Sequence, residues 1–95
     1  MDWEEAKQRF PVGRFVRGRV AAHHPFGILV DLDDPVALGL VQITDFLDAG
    51  RMTPEQYPVV GSEVTAVVLG HTDPGRKQVW LSLRPSVLQR YAQDG

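Results

Sequence analysis

The sequence contains no cysteine, which excludes disulfide bridges, thiolate metal ligands and thiol catalysis. It also lacks an apolar run long enough to span a membrane, and its acidic first residues are unlike those of a signal peptide. The motifs of nucleophile elbows, phosphate-binding loops and zinc proteases are missing as well. We therefore expect a cytoplasmic protein that is not an enzyme, holds no cofactor or metal and has no membrane partner.

A strong excess of positive charge is missing too, because 12 Asp and Glu residues outnumber 10 Lys and Arg residues. The net charge of -2 argues against the very basic kind of nucleic-acid-binding protein. The charges are nevertheless segregated along the chain. Residues 1–24 and 76–95 are net basic, whereas residues 25–75 contain Arg51 against eight acidic residues. The length of 95 residues suits a single domain.

Short runs of alternating apolar and polar residues recur between turn residues, which is the pattern of a small all-β barrel or sandwich. We predict five strands, at 13–23, 27–32, 39–44, 63–70 and 77–83. In the first and third strands, alternation predicts that these residues face inward: Val16, Gly18, Val20, Ala22, Val41 and Ile43.

A short helical turn is predicted between the third and fourth strands, because Thr53 and Gln56 have the spacing of a capping box. Three strands, a helical turn and two more strands follow the order of the OB-fold, a five-stranded Greek-key barrel. Apolar residues at helical spacing also predict short helices at both termini. We therefore expect an N-terminal helical segment (1–11), the barrel (12–84) and a C-terminal helical tail (85–95).

Three apolar residues on the first and fourth strands are expected to point outward, namely Phe15, Val67 and Leu69. These two strands are neighbours in an OB barrel, so the three residues would form one apolar patch. A terminal helix packed on the patch explains it, and so does a contact with a second copy or another protein. Both explanations stay open at this point.

Several segments occur in an order and at separations typical of one known family. The segments are "VG" at 12–13 with "GRV" at 18–20, "PFGILVDL" at 25–32, "GLVQIT" at 39–44, "VGSEVTAVVL" at 60–69 and "RKQVWLSLR" at 76–84. From Val12 to Arg84 the chain thus resembles the S1 RNA-binding domain family, a branch of the OB-folds. The resemblance is to a stand-alone, single-domain member.

The resemblance implies a binding face for single-stranded RNA on the outer side of strands two and three. Phe26 matches the aromatic residue that stacks on a base, and Leu29 matches a second outward position that is usually aromatic. Gln42 stands where the family usually has histidine. Asp73, or Thr72 if the turn differs by one residue, matches an acidic binding residue.

Residues outside the strict family pattern complete the predicted face. Arg76 and Lys77 lie in the turn before strand five and are candidates for phosphate contacts, and they can substitute for a family arginine near Gln78. His24 precedes Phe26 in the loop and is a secondary candidate. Trp80 should face outward and either extends the stacking platform or lies beneath a terminal helix.

The acidic turn after strand two, with Asp31, Asp33 and Asp34, is expected to be solvated and to repel phosphate along that edge. The sequence thus predicts a non-catalytic module that binds single-stranded RNA weakly and with low sequence specificity. The alternative is an adaptor that keeps the barrel but binds a protein partner. Single-stranded DNA is a further possible ligand, because stacking does not read the ribose hydroxyl.

Overall fold

The computed structural model describes residues 2–50, 52–72 and 75–94, with residues 93 and 94 described by their backbone only. In these residues no helix has the length and apolar character that a membrane span requires. The regular elements are α1 (Trp3–Arg9), β1 (Phe15–His24), β2 (Gly27–Asp31), β3 (Leu38–Gln42), β4 (Glu63–His71), β5 (Gln78–Ser82) and α2 (Pro85–Asp94).

The five strands close into a barrel in the order β1-β2-β3-β5-β4, and β4 pairs back onto β1. All neighbouring strands are antiparallel except β3 and β5, which run parallel. The chain reaches β5 from β3 by way of β4, which supplies the long crossover that a parallel pair needs. This topology confirms the predicted OB-fold.

The barrel interior is filled by aliphatic side chains from all five strands. The fully or almost fully buried members of this core are Val20, Ile28, Val30, Val41, Ala66, Val68, Val79 and Leu81. Helix α1 closes one end of the barrel, because Trp3 and Ala6 are buried in the same core. The Asp2 carboxylate caps this helix by accepting the N–H of Glu5 at 2.8 Å.

The end that α1 closes is the one where β4 finishes. The Trp3 ring meets the ring of His71 edge-on, with centroids 6.1 Å apart, and His71 Nε2 donates to the Phe10 carbonyl at 2.7 Å. Phe26 precedes Gly27, which pairs with Gln42 at the opposite end of the strands. Helix α1 therefore does not cover the predicted binding face.

A β-bulge in β1 changes which side chains face outward. Val20 pairs with Val30, but Ala22 pairs with Leu29, so Ala21 is an extra residue in the ladder. Alternation beyond the bulge is therefore inverted. Ala22, which we expected to face inward, shares the outer face with Leu29, and His24 follows it there opposite Gly27.

A second bulge lies in β4 at Leu69, because Val68 pairs with Leu81 whereas Gly70 pairs with Trp80. Val67 faces outward opposite Ser82, yet both residues are fully buried. Helix α2 packs against β4 and is the element that covers them. Val67 thus points outward as expected, and of the two explanations for the apolar patch, packing by a terminal helix holds for this residue. Phe15 and Leu69 remain exposed.

The connection from β3 to β4 contains two short 3₁₀ turns, at Ile43–Asp45 and Pro54–Gln56. The second is the predicted helical turn, and the Gln56 side chain accepts the N–H of Thr53 at 3.0 Å. The first was not predicted. It begins at Ile43, which is only half-buried and is not the inward strand residue that we expected.

Candidate nucleic-acid interface

A groove of about 610 Å³ runs along the outer side of β3. It is lined by residues just before β2, on β3, in the 3₁₀ turn after β3, and at or just before the start of β5. They are Phe26, Leu40, Gln42, Ile43, Thr44, Arg76 and Gln78. The volume lies within the range of binding sites for small organic groups. The groove therefore joins the predicted ring, amide and cationic residues in one surface.

Phe26 stands at one end of the groove with 51% of its surface exposed. Gly27 makes this position possible, because its φ of +151° is rare for other residues and a Cβ there would lie 2.0 Å from the Val41 carbonyl oxygen. The Phe26 carbonyl accepts the N–H of Ile43 at 2.7 Å. The backbone that follows Phe26 is thus fixed, while the ring itself faces solvent.

The two neighbouring histidines point to opposite faces of the strand, and the bulge in β1 decides that His24 is the one on the outer face. The His24 ring lies parallel to the ring of Phe26, with centroids 4.8 Å apart and planes 10° apart. His23 instead donates from Nε2 to the Pro58 carbonyl at 2.6 Å and meets the Tyr57 ring edge-on. His24 therefore belongs to the face, and His23 fixes the loop before β4.

An apolar row crosses the outer face at the middle of the strands. Leu29 pairs with Leu40, and Leu40 pairs with Trp80 on β5. Leu40 is buried but lies outside the core, as expected for the floor of an outer groove. Trp80 is 39% exposed. Trp3 and Trp80 thus lie apart, the first inside the barrel and the second on its surface.

Two glutamine side chains line the groove four positions apart along the parallel strands. Gln42 ends β3, and Gln78 begins β5 beside Leu38. The backbone of Gln78 is fixed by Thr72, whose Oγ1 accepts the Gln78 N–H at 2.8 Å and whose own N–H donates to the Gln78 carbonyl at 2.9 Å. Both amides are placed on rigid strand backbone.

Arg76 is the only Lys or Arg that lines the groove among the described residues. Lys77 is exposed but does not line it; its φ of +55° serves the turn, and its carbonyl accepts the N–H of Leu38 at 3.3 Å. Asp73, the acidic candidate, lies outside the described residues. The structure thus separates two cations that are adjacent in the sequence.

The acidic turn lies beyond the α1 end of β2. Asp34 is not solvated, contrary to expectation: its side chain is 6% exposed and forms a bidentate pair with Arg9, at 2.7 and 3.1 Å. Its carboxylate also accepts the N–H groups of Val36 and Ala37 at 2.9 and 2.8 Å. Arg9 first, and then these two N–H groups, lower the pKa of Asp34 from 3.8 to about 2. Asp31 remains exposed on β2.

Other charged groups lie away from the groove. Arg17 pairs with Glu63 at 3.6 Å, and Arg19 Nη1 donates to the Gly61 carbonyl at 3.3 Å. Both arginines belong to a smaller groove between β1 and its neighbours that also contains Asp31. Within the described part of the chain, no group of three His, Cys, Asp or Glu side chains could hold a metal ion.

Four groove residues were not among the sequence candidates, namely Leu40, Ile43, Thr44 and Gln78. Leu40 could have been found by alternation, because it lies two positions before Gln42 on the same strand. The position of Ile43 and Thr44 depends on the 3₁₀ turn that follows β3. The sequence around them reads as a continued strand and carries no clear signal for that turn.

No model of a protein family matches the chain. It is 32% identical over 82 residues to small ribosomal subunit protein bS1 of Chlamydia muridarum, covering 86% of this chain and 14% of that protein. It is 40% identical over 77 residues to the rRNA biogenesis protein rrp5 of Schizosaccharomyces pombe, covering 81% and 4%. The solution structure of GSP13 from Bacillus subtilis has a TM-score of 0.69 at 30% identity, covering 81% of this chain and 58% of that one.

The chain therefore spans only a small part of the curated relatives that it matches. The similarity covers most of this chain and one segment of each longer protein. GSP13 shares the architecture over 81% of this chain. The sequence and structural similarities thus each cover most of the chain.

Proposed function

Because this chain belongs to the S1 domain family of OB-fold barrels, we propose that it is a non-catalytic module for single-stranded RNA with low sequence preference. Its relatives are named as a ribosomal protein and an rRNA biogenesis protein, which favours RNA over other ligands. The observation that carries the proposal is the half-exposed Phe26 ring at the end of a groove. A cytoplasmic location remains a prediction.

Base stacking on Phe26 is the first element of the proposal. The ring is backed by the parallel His24 ring, so one of its faces is supported and its orientation is restricted. A ring held in place loses little conformational entropy when a base lies against it. Stacking on an aromatic side chain contributes ~1–3 kcal/mol per base and tolerates any base.

Hydrogen bonding by Gln42 and Gln78 is the second element. Each amide offers one acceptor and one donor group, and rotation by 180° exchanges their positions. Every base has a donor and an acceptor side by side on its Watson–Crick edge. Two amides whose donor and acceptor can exchange positions by rotation therefore accept any base, which accounts for the low sequence preference.

Electrostatic attraction is the third and weakest element. Arg76 is placed to contact a phosphate at the end of the groove opposite Phe26, and Lys77 lies outside it. Asp31, exposed on the neighbouring strand, repels phosphate on that side. The RNA backbone should therefore pass on the β5 side of the groove, and affinity should be low to moderate.

The test is titration of a fluorescent RNA hexamer at low salt, followed by anisotropy. We expect Phe26→Ala to weaken binding about 5- to 150-fold, which corresponds to the loss of one stacked base. Phe15→Ala is the matched control, because Phe15 is an exposed phenylalanine away from the groove. Equal affinity of the wild type and both variants would contradict the proposed face.

The alternative is an adaptor for a protein partner through the surface of Phe15 and Leu69. The burial of Val67 removes the centre of that surface, so this function is less well supported. An adaptor predicts no RNA titration signal and a weakened protein complex on Phe15→Ala. A DNA hexamer of the same sequence tests the remaining possibility, because tighter RNA binding requires recognition of the 2′-hydroxyl.

A further inference from the structure

Trp80 lies beside a position on the barrel surface that carries no side chain. Its cross-strand neighbour on β4 is Gly70, and a Cβ built at Gly70 would have no atom within 4 Å. On the other side Trp80 pairs with Leu40, the floor of the groove. We name the surface formed by Trp80 and the Gly70 backbone the tryptophan shelf.

The shelf is open because the two termini cover other parts of the molecule. Helix α1 closes the barrel end and buries Trp3, whereas α2 packs on β4 where Val67 is buried. Trp80 is 39% exposed, and no aromatic contact to it is found among the described residues. A large flat ring is thus left uncovered directly beside the groove.

The bulge at Leu69 creates this arrangement. Without the extra residue, Leu69 would lie opposite Trp80 and its side chain would cover the ring. With the bulge, the residue opposite is Gly70, which has no side chain. Bulges commonly reshape a surface next to a functional site.

We propose that the tryptophan shelf is a second nucleobase site, which takes another base of the strand bound in the groove. The inference rests on the proposed RNA function. It commits to a base of the same strand because the shelf is continuous with the groove through Leu40. A planar, uncharged ring suits a surface made of an indole and bare backbone.

The spacing of the two rings sets the length of RNA that can use both. Gly27, beside Phe26, pairs with Gln42 on β3, and Trp80 pairs with Leu40 on the same strand, so the two positions are two strands and two residues apart. That offset corresponds to roughly 12 Å on a sheet. Because successive stacked bases are about 3.4 Å apart, the bases on Phe26 and Trp80 are about three to four steps apart, with two or three further nucleotides between them.

Gly70→Val tests the shelf without altering Trp80. The backbone of Gly70 is not left-handed and the space above it is open, so the variant should fold. Valine opposite an aromatic residue is a favourable cross-strand pair, so its melting temperature should equal or exceed that of the wild type. The valine would nevertheless occupy the base site, and we expect hexamer affinity to fall about 5-fold or more.

Thr65→Val is the matched control, because Thr65 is an exposed β4 residue that pairs with Arg17 far from the groove. Trp80→Leu should weaken hexamer binding like Gly70→Val, and a mononucleotide should not distinguish either variant from the wild type. A hexamer bound equally by wild type and Gly70→Val, but weakly by Phe26→Ala, would overturn the shelf and leave the groove intact. No hexamer binding by the wild type would instead refute the proposed function.

Discussion

The Arg9–Asp34 pair makes the stability of this barrel depend on acid in a way that can be calculated. The pair connects α1 to the turn after β2 and holds the pKa of Asp34 at about 2, against an ordinary 3.8. Because the folded state lowers this pKa, the carboxylate stabilises the protein above about pH 4, and the contribution is lost as the pH falls to about 2. One pKa unit corresponds to about 1.4 kcal/mol.

We expect Asp34→Asn to reduce the free energy of unfolding at pH 7 by about 1–2 kcal/mol, a value lowered for screening because Arg9 is partly exposed. The difference from the wild type should shrink steadily between pH 4 and pH 2, since the wild-type carboxyl is then protonated. Urea unfolding at pH 7, 4, 3 and 2 measures it. Arg9→Gln should show the same pH dependence, because it removes the main cause of the low pKa.

Asp33→Asn is the control for effects of low pH that do not involve the Arg9–Asp34 pair, because Asp33 is an exposed neighbour in the same turn. Its stability should follow that of the wild type at every pH. A difference between wild type and Asp34→Asn that stays constant from pH 7 to pH 2 would refute the reasoning. The asparagine would then act through packing or hydrogen bonding and not through the lost charge.

Three further results are expected. Arg76→Gln should lower the salt slope of RNA binding by about 0.7, the share of one phosphate contact on a single strand. Arg90→Gln changes an exposed residue of α2 that does not line the groove and should leave the slope unchanged; equal slopes would place the phosphates elsewhere. Gly27→Ala should lower the free energy of unfolding, measured with urea, by more than the ~1–3 kcal/mol of backbone strain alone, because the added Cβ would also clash with the Val41 carbonyl oxygen. Trp3→Ala should cost about 3–5 kcal/mol of unfolding free energy, since α1 loses its buried anchor; a change below 1 kcal/mol would mean that α1 does not close the barrel.

Local signals in the sequence were enough to predict the OB-fold. Alternation located the five strands, and the spacing of Thr53 and Gln56 located the second 3₁₀ turn. The resemblance matched Phe26 to a stacking residue on the outer face, and the ring is indeed exposed. The assignment of Leu29 and Lys77 to the RNA face stays a prediction, since neither lines the groove.

Non-local contacts account for what could not be predicted. Arg9 and Asp34 are 25 positions apart, so the ion pair that desolvates Asp34 is not visible along the chain. The same holds for Val67, whose alternation is that of an outward residue and whose burial is due to α2. Alternation was enough to place Leu40 on the outer face, but its pairing with Trp80 depends on the parallel β3–β5 contact between strands far apart in the sequence.

The sequence by itself determined the strands and their OB-fold order, because alternation and turn chemistry act over a few residues, and its resemblance to the S1 family indicated the exposed ring at position 26. Only the tertiary structure decided which histidine joins that ring and which residue faces Trp80. Both depend on bulges, at Ala21 and at Leu69, where one extra residue inverts the alternation. Each bulge arises from how two consecutive strands align, β1 with β2 and β4 with β5, and the alternation within one strand does not show where its partner leaves a residue unpaired.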